Sequence, residues 1–288
     1  MHYVTSKSVL SKNNGMNLYR GCTHGCIYCD SRSKIYGMNH KFEDIEVKEN
    51  SLQLLKRELR KRQPSMIGTG AMTDPYIPLE KRLKYVRNAL ELIYDYGFGF
   101  TCITKSDLIL RDLELLKKIN EKTRVVVQMT LTTADDDLCS ILEPHVCTTS
   151  RRVEVLKILD EAGIPTVVWL CPILPYINDT YENINSILDY CIENNVKGIL
   201  CHGMGLTLRE GNREYFYSKL DEHFPGLKEK YIEEYANSYS IPSPNDKMLM
   251  KLFKRRTYDA GILNNFNEIF EYLHKFPQKS YQSTLNFK

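Results

Sequence analysis

From residue 16 onward, short apolar runs alternate with longer amphipathic stretches. Segment 51–62 places Leu52, Leu55 and Leu59 at the period of one helix face, with polar residues between them. Segments 79–96, 107–120, 150–162 and 179–195 also read as helices, the one at 150–162 stopped by Gly163, where a C-terminal cap is expected. The intervening runs at 16–20, 65–70, 98–103, 124–131, 166–171 and 198–202 predict six strands, and Thr73-Asp74-Pro75 marks a loop after the second. Strands that each lead into a helix or long loop imply right-handed crossovers and a parallel sheet. Eight strand–helix units do not fit before residue 205, whereas a partial barrel or an open doubly wound sheet does. The chain after about Leu206 is mainly helical by pattern and rich in tyrosine. Ile241-Pro242-Ser243-Pro244 interrupts it and reads as a joint between two helices. The expected division is a core of residues 1–205 and a helical extension, 206–288, packed on it.

Composition changes this picture little. The 288 residues are 42% hydrophobic and 26% charged, which suits a globular protein with a real core. No apolar run is long enough to cross a bilayer, and residues 1–15 lack an apolar signal core, so a cytoplasmic monomer with no membrane contact is expected. A net charge of +3 does not by itself point to a nucleic-acid partner. The basic groups Lys56-Arg57, Arg60-Lys61-Arg62, Lys251 and Lys254-Arg255-Arg256 read as solvated helix faces.

The nine cysteines change it a great deal. An odd number without a secretion signal argues against a disulfide framework. Six are scattered, but Cys22, Cys26 and Cys29 form C-x3-C-x2-C in a loop, residues 21–30, that follows the first strand. Three thiolates so close can wrap three corners of one centre, and soft sulfur ligands select zinc or an iron–sulfur cluster. A four-iron cluster held by three cysteines keeps one iron open to an outside ligand, the mark of a catalytic cluster. A structural zinc needs a fourth ligand, for which His24 or His40 is the nearest source. Gly21 and Gly25 give the loop the backbone freedom that wrapping a cluster requires.

The C-x3-C-x-aromatic-C loop resembles the signature of the radical S-adenosylmethionine superfamily. The stretch from Tyr19-Arg20 to Asp30 is similar to its spore photoproduct lyase-like branch. So are Thr73-Asp74-Pro75-Tyr76, Ile103-Thr104-Lys105-Ser106, Leu131-Thr132-Thr133, Leu142-Glu143-Pro144 and Arg152, over roughly residues 15–205. The resemblance implies an α/β fold, a partial (β/α)6 TIM-type barrel. It also implies a [4Fe-4S] cluster on Cys22, Cys26 and Cys29, and S-adenosyl-L-methionine chelated at the open iron. A reductant such as flavodoxin or ferredoxin would supply the electron that yields a 5′-deoxyadenosyl radical, which takes hydrogen from a substrate.

Carried over residue by residue, Tyr28 would pack on the adenine ring, and Gly70, in Gly68-Thr69-Gly70, would let backbone approach the methionine amino group. Lys105 would pair with the methionine carboxylate, as would the guanidinium of Arg152. Thr130, with Thr132, would bond the carboxylate or ribose, and Glu143 would hold Arg152 or the ribose. Ile173, with Pro172, would line the adenine face. Two departures argue against photoproduct reversal. The segment Gly70-Ala71-Met72-Thr73-Asp74 lacks the lyase's hydrogen-returning cysteine, and Asp30 replaces an aromatic. Cys171 and Cys201, near later strand ends, are alternative hydrogen donors or plain buried cysteines; His202 and Tyr76 face substrate or pack. The branch points to a nucleic-acid base or nucleotide as substrate. The competing class is a non-catalytic iron–sulfur or zinc protein, against which stand the missing fourth cysteine, Lys105 and Arg152.

Overall fold

The computed structural model describes residues 1–277. Eleven strands are present among them: β1 (His2–Val4), β2 (Gly15–Met16), β3 (Tyr19–Arg20), β4 (Glu46–Lys48), β5 (Met66–Thr69), β6 (Gly99–Thr104), β7 (Val125–Thr130), β8 (Thr166–Trp169), β9 (Gly198–Leu200), β10 (Gly205–Thr207) and β11 (Ser240–Pro242). Six of them form one parallel sheet in the order β2-β5-β6-β7-β8-β9. Because spatial order follows chain order, the sheet winds in one direction, and the partial (β/α)6 barrel holds over the doubly wound alternative.

Both faces of the sheet are covered, which is why β7 is buried at every position. On the outer face, helix Ser51–Leu59 turns Leu54, Leu55 and Leu59 inward, and helix Tyr85–Asp95 turns Val86, Ala89, Leu90 and Ile93 inward. Each such fully buried aliphatic side chain contributes about 1.5–3 kcal/mol. On the inner face, helix Phe266–His274 packs Ile269 and Leu273 against Val126, Val167 and Leu200. That last helix therefore fills the lower interior of the open barrel. Residues 278–288, the end of the expected extension, lie outside the described residues.

Several boundaries differ from the pattern reading. The run 16–20 divides: β2 joins the barrel, while β3 pairs antiparallel with β4 in a small sheet ordered β1-β4-β3. The expected helix 79–96 breaks at Lys84, φ +57°, although its apolar spacing continues across the break. The buried Glu80 carboxylate explains it, accepting the Val86 N–H at 3.1 Å and so capping the second helix. The proline-rich joint is a strand: β11 pairs antiparallel with β10, setting Ile241 opposite Leu206. The expected boundary at 205/206 thus falls inside β10.

Candidate functional site

The cysteine loop leaves β3 through Gly21, at φ +90°, where a Cβ would stand 2.5 Å from the Phe42 carbonyl oxygen. Any side chain there would push the loop off its support. The Cys22 N–H donates to that same carbonyl at 3.1 Å. On the other side the Ile27 N–H donates to the Leu142 carbonyl at 3.0 Å, and the His145 N–H to the His24 carbonyl at 3.1 Å. Buried His24 lies 3.4 Å from the Asp74 carboxylate. Asp74 accepts from the Thr104 hydroxyl and from the N–H groups of Lys105 and Tyr76, each at 2.8 Å. One carboxylate therefore ties the cysteine loop to the end of β6.

The three loop cysteines are free, as are the other six. Burial pushes the Cys22 thiol up to about 12, with Asp74 adding to the effect. Burial pushes Cys26 well above the ordinary thiol range, and Lys105 works against it. Such thiols give up their protons only to a strongly cationic partner, so the donor set fits a metal cluster.

Beneath the loop lies a buried ionic centre. The Tyr28 hydroxyl donates to the Glu143 carboxylate. The other carboxylate oxygen meets Arg152 at 2.5 Å, with both side chains fully buried. Burial opposes the Glu143 charge, but Arg152 and Lys105 outweigh it and hold the carboxyl below its usual range. Burial likewise opposes the Lys105 ammonium, while Cys26 and Glu143 keep it protonated.

Above this centre a cavity of about 730 Å³ opens at the C-terminal ends of the barrel strands. Cys29 and Tyr28 line it from the loop, Gly70 from the end of β5, Lys105 from β6, and Thr130 from β7. Trp169 ends β8, Cys171 and Pro172 follow it, and His202 follows β9. The β10–β11 ribbon closes the far wall with Leu206, Tyr239 and Ile241. The Lys105 ammonium sits 5.8 Å from the centre of the Tyr28 ring.

Several candidates stand elsewhere. Arg152 does not reach the cavity: it donates to the Cys147 carbonyl at 2.8 and 3.0 Å and to the Thr130 carbonyl at 3.1 Å. From the first turn of helix Thr149–Glu161 it reaches both carbonyls and Glu143, and so braces Glu143 and the end of β7. Glu143 itself is buried below Tyr28, with Thr132 at 3.5 Å. Ile173 is fully buried in the core while its neighbour Pro172 faces the cavity. Tyr76 is buried in the same core, and its hydroxyl has no partner among the described residues. Cys201 is buried beside Met250 at 3.7 Å. Pattern reading overlooked Trp169, whose indole N–H bonds the Gln128 amide oxygen at 2.8 Å. Its place two residues before Cys171 in a strand, hence on the same face, was the available signal. The His24–Asp74 contact left none, because the two residues lie fifty positions apart.

The sequence model of the Radical SAM superfamily matches residues 16–191. The chain belongs to that superfamily. It is a radical SAM enzyme, and membership implies S-adenosylmethionine, an iron–sulfur cluster and an external reductant. Among relatives, the uncharacterized protein Rv2578c of Mycobacterium tuberculosis is 27% identical over 269 residues, 86% of this chain and 77% of its own. The uncharacterized protein MJ0683 of Methanocaldococcus jannaschii is 34% identical over 166 residues, 57% of this chain and 61% of its own. Spore photoproduct lyase complexed with dinucleoside spore photoproduct superposes with a TM-score of 0.64 at 14% identity, covering 91% of this chain and 80% of the lyase. The radical SAM chain thus shares the lyase's fold. No described helix is long and apolar enough to cross a membrane.

Proposed function

We propose that Cys22, Cys26 and Cys29 hold a [4Fe-4S] cluster, and that the cavity takes S-adenosylmethionine together with an organic substrate. The cavity carries this reading, since Cys29, Gly70, Lys105 and Thr130 all line it, each from a different loop or strand end. When bound, the reduced cluster and S-adenosylmethionine supply a 5′-deoxyadenosyl radical that takes a hydrogen atom from the substrate.

The chain's own residues bind and orient. Lys105, kept charged by its surroundings, pairs with the methionine carboxylate. Gly70, at φ +102°, presents backbone without a side chain to the amino group, and Thr130 offers its hydroxyl to the carboxylate or ribose. Tyr28 and Pro172 flank the adenine, while Glu143 and Arg152 set the position of Tyr28 from below. A flavodoxin or ferredoxin is the fitting electron donor, and a cytoplasmic monomer the fitting setting.

The aromatic surface opposite the cysteine loop favours a flat heterocycle, a nucleic-acid base or nucleotide. Trp169 and His202 lie with ring centres 6.0 Å apart, and His202 stacks on Phe266 at 4.0 Å. The dinucleoside held by spore photoproduct lyase supports the same class. Photoproduct reversal itself is disfavoured, because residues 70–74 contain no cysteine. Cys171 is the cavity thiol outside the cysteine loop, and burial, with Cys201 adding, pushes it up to about 12, so it stays protonated at neutral pH.

The test is anaerobic reconstitution with iron and sulfide, reduction, addition of S-adenosylmethionine, and chromatography for 5′-deoxyadenosine. Wild type should form it, and Cys22→Ala, Cys26→Ala and Cys29→Ala should neither hold four irons nor form it. Lys105→Met should weaken S-adenosylmethionine binding at least about tenfold, the loss of one charge-assisted contact, with the cluster absorbance intact. Unchanged binding by Lys105→Met overturns its assignment; a cluster that forms without one of the three cysteines overturns the ligand set.

A further inference from the structure

A second group of ligand-type side chains stands outside the cavity, on the small sheet beside the cysteine loop. His2, His40 and Glu46 are each half-buried and bring one donor atom apiece to within 4.8 Å of one another. They come from three separate pieces of chain: β1, the segment between the cysteine loop and β4, and β4 itself. The parallel register of β1 on β4 sets His2 directly beside Glu46. The two imidazole rings meet edge to face with centres 4.9 Å apart.

The hydrogen bonds around these rings decide which nitrogens are available. His2 Nδ1 lies 3.0 Å from the Asp44 carboxylate, which only accepts, so Nδ1 carries the proton and Nε2 keeps its lone pair. His40 Nδ1 lies 3.0 Å from the Lys41 carbonyl, again an acceptor, which leaves Nε2 as the lone-pair nitrogen of a neutral ring. That nitrogen faces the Glu46 carboxylate at 2.9 Å. Two acceptors in that position repel unless a cation lies with them. Arg20 Nη1 stands 4.0 Å from the other Glu46 oxygen and not between the facing atoms, where the cation is either an extra proton on His40 or a metal ion shared with His2. An imidazole held at Nδ1 by a carboxylate or carbonyl, with Nε2 turned to a carboxylate, is the arrangement that orients histidine toward metals.

We propose that His2, His40 and Glu46 form a divalent transition-metal site. Two imidazoles and one carboxylate match zinc by donor chemistry, with water completing the shell, while Asp44 and the Lys41 carbonyl orient the rings. The site fastens β1 and the 37–45 segment to β4. That segment supplies the Phe42 carbonyl on which Cys22 rests, and Arg20, two residues before Cys22, pairs with Glu46 across the sheet. The metal is therefore a clamp on the shoulder of the cysteine loop, separate from the cluster and from the cavity.

The experiment uses the full chain, purified without a histidine tag and reconstituted with iron and sulfide so that the loop thiols are occupied. After chelator treatment and desalting it is titrated with zinc sulfate, and bound metal is counted by mass spectrometry. One zinc per chain is expected, with an X-ray absorption first shell of nitrogen and oxygen near about 2.0 Å, imidazole outer scattering and no sulfur near about 2.3 Å. His2→Ala and His40→Ala should each weaken zinc at least about a hundredfold, and the milder Asp44→Asn, which removes only an orienting partner, about tenfold. Iron content and far-ultraviolet dichroism report whether the variants are folded. If an alanine variant does not fold, Asp44→Asn decides. Absence of retained zinc, sulfur in its shell, or unchanged affinity in the folded variants would overturn the site. His40 and Glu46 would then be an ordinary ion pair.

Discussion

Replacing Arg152 with methionine removes the guanidinium from a fully enclosed site while keeping most of the side-chain volume. Glu143 then loses its 2.5 Å partner, and the Thr130 and Cys147 carbonyls lose their arginine donors. Breaking a buried ion pair from one side typically costs about 3–5 kcal/mol. Tyr28 still donates to Glu143 and Lys105 still offsets its charge, so the lower end applies, about 3 kcal/mol. That is more than a hundredfold in the ratio of folded to unfolded chain. Urea unfolding of the cluster-free, thiol-reduced protein followed by far-ultraviolet dichroism reads it directly. With a slope of about 3 kcal/mol per molar, the midpoint should fall by about 1 M. The double variant Arg152→Met with Glu143→Gln should regain much of the loss, since a neutral amide no longer needs a countercharge. A cost for Arg152→Met below about 1 kcal/mol, or a double variant less stable than the single one, would refute the reasoning.

Two further outcomes follow from the same geometry. In Gly70→Ala the new Cβ would stand 2.2 Å from the Ile103 carbonyl oxygen at φ +102°, so β5 and β6 must part where they line the cavity. A loss of about 2–3 kcal/mol is expected, read as a fall in Tm of about 5 °C or more, together with weaker S-adenosylmethionine binding by calorimetry. The depressed Glu143 carboxyl links stability to acid: burial opposes its charge, but Arg152 and Lys105 favour it more. Its folded pKa lies below the unfolded value of about 4.3, so its contribution is complete above that pH and is lost as pH falls through the folded pKa. The wild-type urea midpoint should therefore drop relative to Glu143→Gln between about pH 5 and pH 3, and parallel curves would contradict this.

Much of the barrel was legible in the chain. Buried parallel strands read as short apolar runs, and the covering helices keep a 3.6-residue period, so six strands in order could be counted before any contact was known. The cysteine loop was legible for the same reason: C-x3-C-x2-C and its glycines act within nine residues. Where the pattern failed, the cause lay far along the chain or in a side chain that periodicity does not weigh. Lys84 breaks a continuous apolar face because the Glu80 carboxylate turns to cap the following helix. Residues 240–242 become a strand because β10 offers an edge, although Pro242 and Pro244 read as a joint.

The sequence by itself determined the parallel α/β class, the succession of strands along the chain and the three thiols, because each is written in spacing over a few residues; that the strands pair in chain order came from the tertiary structure. Only the tertiary structure decided which way the candidate side chains point. Pro172 rather than Ile173 faces the cavity, Arg152 braces Glu143 from below, and Trp169 and Tyr239 join the wall. It alone brought His24 to Asp74, Tyr28 to Glu143, and His2 to His40 and Glu46. Those directions follow from hydrogen bonds and charges between segments as many as 115 residues apart, where burial obliges each polar group to find partners and no periodic signal marks them.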